Sequence, residues 1–600
     1  MTLAKCFRIG LIVLLVNTAY VAAFASPTVF YMGNVALHLL LGIALTIAAA
    51  FLIRRGGVPG ALGTFVVSGV IGVSLAIAGN TRNHHWVLWL HILLAFLAVA
   101  MLSLVYRDSS RGLRPAAAFA ILFPAAVLTY NHFIPNPYDR IRNPLVVPVS
   151  MQDEGGGPKS PFFPSSSRTN VGGIIPSNFF MDSKACGECH KDIYEQWKSS
   201  AHHFASFNNQ FYRKSIEYMQ DAVGTKPSKW CAGCHDHAVF FNGRFDRPIK
   251  EQVDTPEAQT GLGCMSCHSI VHVDSSMGNG GFTIAYPPLH ELASSKNPVV
   301  HATGEFLTYL NPAPHRDSFM KPFMREDSAE FCSTCHKVHL DVPVNNYRWI
   351  RGFNDYDNWQ ASGVSGQGAR SFYYPPQSKT CGGCHMQLVD SRDPGNHDGQ
   401  VHSHRFPAAN MALATVNRDE AQRKATEAFL TSGFVTLDIF AISPAADRAG
   451  DTKMIRRASD APQAMTGFAA GEETEQAGPA VIRDVGRVAA PIDRAGAVLE
   501  PGHAARVDVV VRTRAIGHFF PAGTVDAFDV WLELQGIDAQ GRTFFWSGRV
   551  EDDGKGPVEP GAHFYRSFQL DGEGNPINKR NAFQTRSLLY ARLIPPGAAD

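Results

Sequence analysis

The chain carries little charge and no excess of either sign. Charged residues make up 18% of its 600 positions, and 54 basic side chains face 53 acidic ones, for a formal net charge of +1. Nucleic-acid-binding surfaces need clustered positive charge, so the composition gives no reason to expect a nucleic-acid partner. Charged residues are scarcest in roughly the first 130 positions, which predicts a membrane segment followed by soluble domains. At roughly 100–200 residues per domain, the length suggests about three domains.

Cysteine is almost absent outside one repeated motif. Ten of the eleven cysteines, all except Cys6, form five Cys-x-x-Cys pairs, and a histidine follows each pair directly. The motifs are Cys186-Cys189-His190, Cys231-Cys234-His235, Cys264-Cys267-His268, Cys332-Cys335-His336 and Cys381-Cys384-His385. The residue frequencies predict about 0.008 such motifs by chance. Disulfides, zinc knuckles and redox dithiols need no adjacent histidine. Covalent attachment of haem c does need an adjacent histidine, because the two thiols form thioethers with the haem and the histidine binds its iron. We therefore expect five covalent haem c groups.

Histidines also supply the candidates for the second axial ligand of each iron. Eleven further histidines lie between Met181 and Asn410, more than the five that complete bis-histidine ligation would use. The best candidates are His202, His272, His315, His339 and His404, with His237, His290 and His301 as alternatives. Bis-histidine ligation gives lower reduction potentials than methionine ligation and leaves no open iron, which favours electron transfer over catalysis.

Five apolar runs precede the motifs, each close to the ~20 residues that a membrane-spanning helix needs. They are Ile9–Ala25, Val29–Ile53, Gly60–Ala78, Trp86–Val105 and Pro115–His132. Basic residues cluster at Lys5 and Arg8, at Arg54 and Arg55, and at Arg107, Arg111 and Arg114. All three clusters lie on one side if the N-terminus is cytoplasmic, so the positive-inside rule puts everything after Phe133 in the periplasm of a bacterial inner membrane. The first run also fits a signal peptide ending at Ala23-Phe24-Ala25, so either four or five helices are expected in the mature protein.

Two histidines lie within these apolar runs. His38 and His91 are on the second and fourth runs, which cross in the same direction, and both fall at similar depth. Ionisable residues inside a membrane point to function by default, and this pair suits a b-type haem or a quinol site. The alternative is that each ring hydrogen-bonds a neighbouring helix.

The remaining domains follow from composition and periodicity. Residues 134–180 are rich in proline, glycine and serine, which predicts a linker. Residues 181–410 form a mostly α-helical haem domain, and 411–432 form a helical connector. From 433 to 600 the pattern changes to period two, which predicts an immunoglobulin-like β-sandwich with a loop insertion near 448–478. The turn signal at Ile594-Pro595-Pro596-Gly597 predicts a further strand beyond Asp600. His518, in a Gly-His-x-x-Pro-x-Gly element, is either a haem ligand or a turn histidine.

Two stretches resemble known multihaem cytochromes. The string from Cys186 through Tyr194, Trp197, Ser200 and His202 resembles the tetrahaem cytochrome that serves hydroxylamine oxidoreductase. The Cys-Gly-Gly-Cys-His-Met stretch at 381–386, followed by His402 and His404, is similar to the pentahaem nitrite reductase and octahaem group. The resemblance implies a mostly helical fold with closely packed haem pairs. The chain lacks the Cys-x-x-Cys-Lys site of the nitrite reductases, whose lysine leaves an iron open. It adds a fifth motif and a membrane domain to the tetrahaem pattern.

The combined expectation is a membrane-anchored cytochrome that transfers electrons from the membrane to an extracytoplasmic acceptor. Its partners would be redox proteins and the membrane, with the quinol pool as a possible donor. Three alternatives remain: a quinol dehydrogenase, a terminal reductase of a nitrogen or sulfur oxyanion, and a sensor or assembly protein that binds through its β domain. No catalytic residue is assigned, and the donor, the acceptor and the oligomeric state stay open.

Overall fold

The computed structural model describes residues 2–105, 112–286, 295–325, 328–368, 374–409, 411–444, 452–455, 480–483, 488–526 and 529–600. The alternative ligand His290, the basic residues Arg107 and Arg111, and most of the expected insertion at 448–478 lie outside the described residues.

The N-terminal part contains five long apolar helices, as predicted. They are α1 (Leu3–Ala23), α2 (Val29–Arg54), α3 (Pro59–Ala78), α4 (His85–Val105) and α5 (Leu113–Phe133). Each is long and apolar enough to cross a membrane. Along the bundle, α1 packs between α5 and α2, and α3 packs between α2 and α4. Helix α3 begins with proline in its first turn and ends at Gly79, whose φ of 84° suits glycine.

The described residues between 134 and 410, called the haem region here, are built mainly from short helices. These are Asn178–Met181, Ser183–Cys189, Lys191–Lys198, Gln210–Val223, Thr225–His235, His237–Phe240, Cys264–His268, Pro298–Leu310, Ala313–Phe319, Ser328–His336, Val342–Asn345, Asp355–Ala361 and Cys381–His385. Single 3₁₀ turns lie at Arg82–His84, Pro137–Asp139, Met151–Asp153, Gly157–Lys159, Arg244–Asp246, Ile249–Glu251, Glu257–Gln259, Pro322–Met324 and Ala582–Gln584. A phenylalanine-rich core packs these helices together, including the fully buried Phe179, Phe241 and Phe282. Aromatic side chains bury more apolar area than any others, which suits a domain with so little regular structure.

Short strands complete the haem region. They are β1 (Arg168–Thr169), β2 (Ile270–Val273), β3 (Phe282–Ile284), β4 (Lys337–Leu340), β5 (Ile350–Asn354), β6 (Leu388–Asp390) and β7 (Gln400–His402). Strand β3 pairs in parallel with β1 and antiparallel with β2, while β4 pairs with β5 and β6 with β7.

The segment 134–180 does not run as a free tether. Met151 and Phe162 are buried in it, and strand β1 joins the β3 edge. Two of its buried serines form internal hydrogen bonds: the Ser167 hydroxyl donates to the Gly280 carbonyl at 2.9 Å, and Ser166 donates to Glu154 at 2.7 Å. A composition typical of linkers therefore folds here, because its hydroxyls find partners inside the haem domain.

The C-terminal part consists of two helices and then antiparallel strand pairs. The helices are Met411–Val416 and Glu420–Leu430, followed later by the single turns Ile492–Ala495 and Glu551–Gly554. The strands are β8 (Val435–Pro444), β9 (Thr452–Ile455), β10 (Ala480–Arg483), β11 (Ala505–Thr513), β12 (Val530–Leu532), β13 (Leu534–Ile537), β14 (Thr543–Ser547), β15 (His563–Tyr565), β16 (Ser567–Leu570) and β17 (Ser587–Ala591). Across the described residues they pair two by two, as β8 with β11, β9 with β10, β12 with β15, β13 with β14 and β16 with β17. The immunoglobulin-like sandwich stays a prediction.

The membrane helices contact the haem region through helix Pro298–Leu310. The backbone N–H of Asn80, just after α3, donates to the Tyr309 carbonyl at 2.8 Å. Asn311 Nδ2 donates to the hydroxyl of Tyr31, near the start of α2, at 2.7 Å. Leu307 and Leu310 pack against Tyr31 and its neighbours on α2. The start of α2 and the end of α3 therefore face the haem domain, as the alternating topology predicts.

Candidate haem sites

Each Cys-x-x-Cys-His motif lies in a short helix. Two motifs make up whole helices, Cys264–His268 and Cys381–His385, and the other three lie at the C-terminal ends of theirs, with His190 directly after Cys189. In a helical turn this spacing puts both sulfurs and the imidazole on one face. The Nδ1 atoms of three motif histidines lie 2.8 Å from backbone carbonyls: His235 from Ala205, His268 from Phe319 and His385 from Pro407. A carbonyl only accepts, so Nδ1 carries the hydrogen and Nε2 keeps its lone pair for a metal.

Carboxylates take the same position at the other two motifs. His190 Nδ1 lies 2.8 Å from Asp393 Oδ1, and Asp393 is completely buried. This hydrogen bond is the main reason why the pKa of His190 is raised. Asp355 Oδ2 lies 3.8 Å from His336 Nδ1, close enough for an ion pair but too long for a hydrogen bond. A carboxylate that accepts from Nδ1 makes the imidazole a stronger ligand.

Four motif histidines each face a second histidine ring. The ring-centre distances are 6.3 Å for His190 and His315, 6.1 Å for His268 and His404, 6.3 Å for His336 and His202, and 6.3 Å for His385 and His518. Two imidazoles bound to one metal from opposite sides should be roughly 6 Å apart, because each metal–nitrogen bond is about 2 Å and each nitrogen lies about 1 Å from its ring centre. The four spacings therefore fit an iron between each pair.

Three of the facing rings, His202, His315 and His404, are held in the neutral form that a metal binds. Burial lowers the pKa of His202 to about 3 and the pKa values of His315 and His404 to about 4. The Nδ1 of His202 is buried with no hydrogen-bond partner in the described part of the chain. Protons therefore compete little with a metal for these nitrogens.

The fifth motif histidine, His235, differs from the other four. Within the residues that the structure describes, no second histidine ring faces it. The ring of Tyr212 stacks on it instead, with centres 4.4 Å apart and planes inclined by 14°. The neighbouring Asp236 accepts hydrogen bonds from Tyr212 and Ser206, and burial raises its pKa to about 7. This site therefore holds one histidine and a buried acidic group.

Two of the predicted second ligands have other partners. His272, on β2, lies edge-on to Tyr138, with Nε2 3.7 Å from Asp274. His339, on β4, is buried with Nε2 2.7 Å from Glu154 Oε1. His272 and His339 were expected to be ligands because each follows a motif closely in sequence. Each lies on a strand, however, where its ring contacts other side chains and not a motif histidine.

The alternative candidates are also engaged elsewhere. His237 donates from Nε2 to the Gly233 carbonyl at 3.0 Å and packs among phenylalanines. His301 lies 3.2 Å from Glu188. In the described residues neither ring faces a motif histidine.

His518 comes from the C-terminal part, about 130 residues beyond the motif that it faces. The planes of His518 and His385 are inclined by only 13°. Gly517 allows this close approach, since a Cβ there would lie 2.8 Å from Trp359 Cδ1. The Gly-His-x-x-Pro-x-Gly element was the only sequence signal for this contact.

Neighbouring thiols show how the five sites are arranged. Contact with the Cys264 thiol raises the pKa of Cys186 well above its usual value, and Cys335 and Cys381 do the same to Cys234 and Cys332. Burial, with Cys335 nearby, raises the pKa of Cys267 to about 12. The first site therefore adjoins the third, the third adjoins the fourth, and the fourth adjoins both the second and the fifth. Thioether sulfurs do not titrate, so the adjacency is what matters here.

The membrane histidines also come together. The rings of His38 and His91 are 6.5 Å apart, with planes inclined by 78°. The two rings converge, as a shared site requires, and each also contacts a neighbouring helix, as the alternative predicts: His91 contacts Ser68 on α3 and His38 contacts Thr18 on α1.

Residues 185–269 match the family described as cytochrome c554 and c-prime. The matched segment contains the first three motifs. The match supports a c-type cytochrome with covalently bound haem and a role in electron transfer. No curated protein and no solved structure matches the chain.

Proposed function

We propose that this protein is a membrane-anchored electron conduit that carries five covalent haem c groups from the bilayer surface to an extracytoplasmic acceptor. The observation that carries the proposal is the set of four facing histidine pairs, with ring centres 6.1–6.3 Å apart. His202, His315, His404 and His518 are the proposed second ligands. His272 and His339 leave the ligand set.

The haem groups would supply one-electron redox chemistry, and the protein fixes their ligands and their order. With His202, His315, His404 and His518 as second ligands, those irons would have no position for substrate, which favours electron transfer over catalysis there. Hydrogen bonds from Nδ1 fix four of the five motif rings and would tune their irons, as at His190 with Asp393.

The first site is the proposed point of electron input. The Tyr309 hydroxyl lies 3.7 Å from Cys189 Sγ, and the same residue's carbonyl bonds Asn80 at the end of α3. One residue, Tyr309, thus joins the membrane helices to the first motif through its backbone carbonyl and its side-chain hydroxyl. Helix Ala313–Phe319 then supplies His315 opposite His190, and its Phe319 carbonyl holds His268 of the third site.

From the first site, the contacts between cysteines of neighbouring motifs support an electron route through the third and fourth sites to the fifth. The second site adjoins the fourth and forms a branch of this route. At the fifth site the facing histidine, His518, belongs to the C-terminal part, which would therefore control access of the acceptor. The basic loops favour a periplasmic location for the haem region.

Counting covalent haems by intact mass and by spectroscopy tests this proposal. We expect five haems on the full chain and mostly low-spin iron. Replacing Cys381 and Cys384 by serine should leave four, whereas Cys6→Ser, the matched control outside any motif, should leave five. Finding four or fewer covalent haems on the unaltered chain, made with intact maturation machinery, would refute the proposed five-haem electron conduit.

A second function is favoured by the site at His235. Without a second histidine among the described residues, its iron is the candidate for binding an external ligand, as a reductase would require. Cyanide or nitrite should then change the spectrum of one haem in five. If all five haems stay unchanged and low-spin, the reductase is excluded and the conduit stands.

A further inference from the structure

His38 on α2 and His91 on α4 face each other inside the membrane bundle. Their ring-centre distance of 6.5 Å is close to the 6.1–6.3 Å of the four pairs in the haem region. We propose that these two histidines bind a sixth haem, a non-covalent b-type haem, as its two axial ligands.

The contacts of His91 fix which ring nitrogen is free. Its Nδ1 lies 2.8 Å from the Ser68 carbonyl of α3, which only accepts, so Nδ1 carries the hydrogen. The Ser68 hydroxyl donates to the His91 carbonyl at 3.0 Å, which ties the same turn of α4 to α3. The lone pair of the neutral ring is therefore on Nε2, as at His235, His268 and His385.

The contacts of His38 lead to the same assignment. Thr18 on α1 donates its hydroxyl hydrogen to the Leu14 carbonyl at 2.8 Å. Its oxygen, 3.3 Å from His38 Nδ1, is thereby left to accept from that nitrogen. Nε2 of His38 then carries the lone pair as well.

The lone pairs of both rings are thus on Nε2, and the two ring centres are 6.5 Å apart. In the described part of the chain neither Nε2 has a hydrogen-bond partner, and a bilayer interior offers no bulk water to provide one. A metal between the rings satisfies both nitrogens at the observed spacing. A quinol does not, because its two hydroxyls lie at opposite edges of its ring, and a molecule of that length does not fit between imidazoles whose ring centres are 6.5 Å apart.

Glycines provide the room that the site needs. A Cβ on Gly72 of α3 would lie 2.9 Å from His91 Cε1, so only glycine lets this ring rest against α3. Gly42 lies about one turn beyond His38, and no heavy atom of the described chain lies within 4 Å of its Cβ position. That face of α2 leaves space for a porphyrin edge.

The site lies between the bilayer interior and the first covalent haem. Tyr31, which contacts Asn311 of the haem region, precedes His38 by two helical turns, or roughly 10 Å along the axis. The role of the b-haem as electron source rests on the proposed function, but its binding does not.

Acidified organic solvent extracts non-covalent haem and leaves thioether-linked haem on the chain, so one preparation reports both groups. The full chain in mild detergent should yield one extractable haem b for five covalent haems. His38→Ala and His91→Ala should each lose the haem b and keep all five covalent groups, which also report correct folding. His132→Ala, an exposed histidine at the end of α5, is the matched control and should keep both.

A chain with five covalent haems and no extractable haem would overturn the b-haem site and leave the proposed function intact. A chain without covalent haem would overturn the proposed function instead. Should the alanine variants fail to accumulate, His38→Met supplies a ligand that haem iron accepts and that raises its potential. Retained haem b with a raised potential is the expected result, and an unchanged potential would overturn the assignment.

Discussion

The buried carboxylate of Asp393 should lower the reduction potential of the first haem. Its Oδ1 lies 2.8 Å from His190 Nδ1, and its side chain has no exposed surface. The ring and the iron–nitrogen bond add to that distance, so the charge lies roughly 7 Å from the iron. At an effective dielectric constant of about 20, a unit charge there favours ferric over ferrous iron by about 2.4 kcal/mol. For a one-electron couple this corresponds to about 100 mV, since a tenfold change is about 59 mV.

Asp393→Asn keeps an oxygen that can accept from His190 and removes only the charge. We expect the potential of one haem in five to rise by about 100 mV in a spectroscopic redox titration. Asp398→Asn is the matched control, because Asp398 lies nearby in sequence but is 89% exposed at its side chain. If no haem changes potential in the Asp393 variant while all five stay attached, the carboxylate does not act on this iron.

Three further predictions concern ligation and stability. His518→Ala should convert the fifth haem from low-spin to high-spin while all five covalent haems remain, as absorption and electron paramagnetic resonance spectra would show. Gly517→Val should partly reproduce that change, because its side chain would collide with Trp359, which a Cβ alone would approach to 2.8 Å; an unchanged spectrum would refute the ligand assignment. His339→Ala should leave every spin state intact but lower stability by roughly 3 kcal/mol, because Glu154 Oε1 stays buried without its His339 partner while Oε2 keeps only Ser166; the midpoint of thermal unfolding measures this.

Local patterns in the sequence were sufficient for the membrane helices and the motif histidines. Apolar runs of about 20 residues predict spanning helices, and the five helices follow closely, such as α3 at Pro59–Ala78 for a predicted Gly60–Ala78. The adjacent Cys-x-x-Cys-His spacing likewise needs only one helical turn. Neither inference depends on how distant segments meet.

The second ligands depend on tertiary contacts, and there the sequence was a weaker guide. The sequence predicts His202, His315 and His404 as second ligands, and each faces a motif histidine with ring centres 6.1–6.3 Å apart. His272 and His339 lie close to motifs in sequence but on strands that direct them elsewhere. His518 belongs to a region that composition assigned to a different domain.

Composition also misjudged the segment 134–180. Proline, glycine and serine usually mark flexible linkers, because they bury little apolar surface. Here Phe162 and Met151 anchor the segment, and serine hydroxyls bond to backbone inside the haem domain. Whether such a stretch folds depends on partners that its own sequence does not contain.

Reduction of the covalent haems from within the bilayer is the most direct test of the conduit. The full chain is placed in liposomes that contain a reduced quinol, and the haem c absorption is followed after rapid mixing without any soluble reductant. The account predicts reduction of the five covalent haems, slowed in the His38→Ala and His91→Ala variants, while dithionite reduces all preparations alike. Covalent haems that dithionite reduces but membrane quinol leaves oxidised in the unaltered protein would contradict electron input from the membrane.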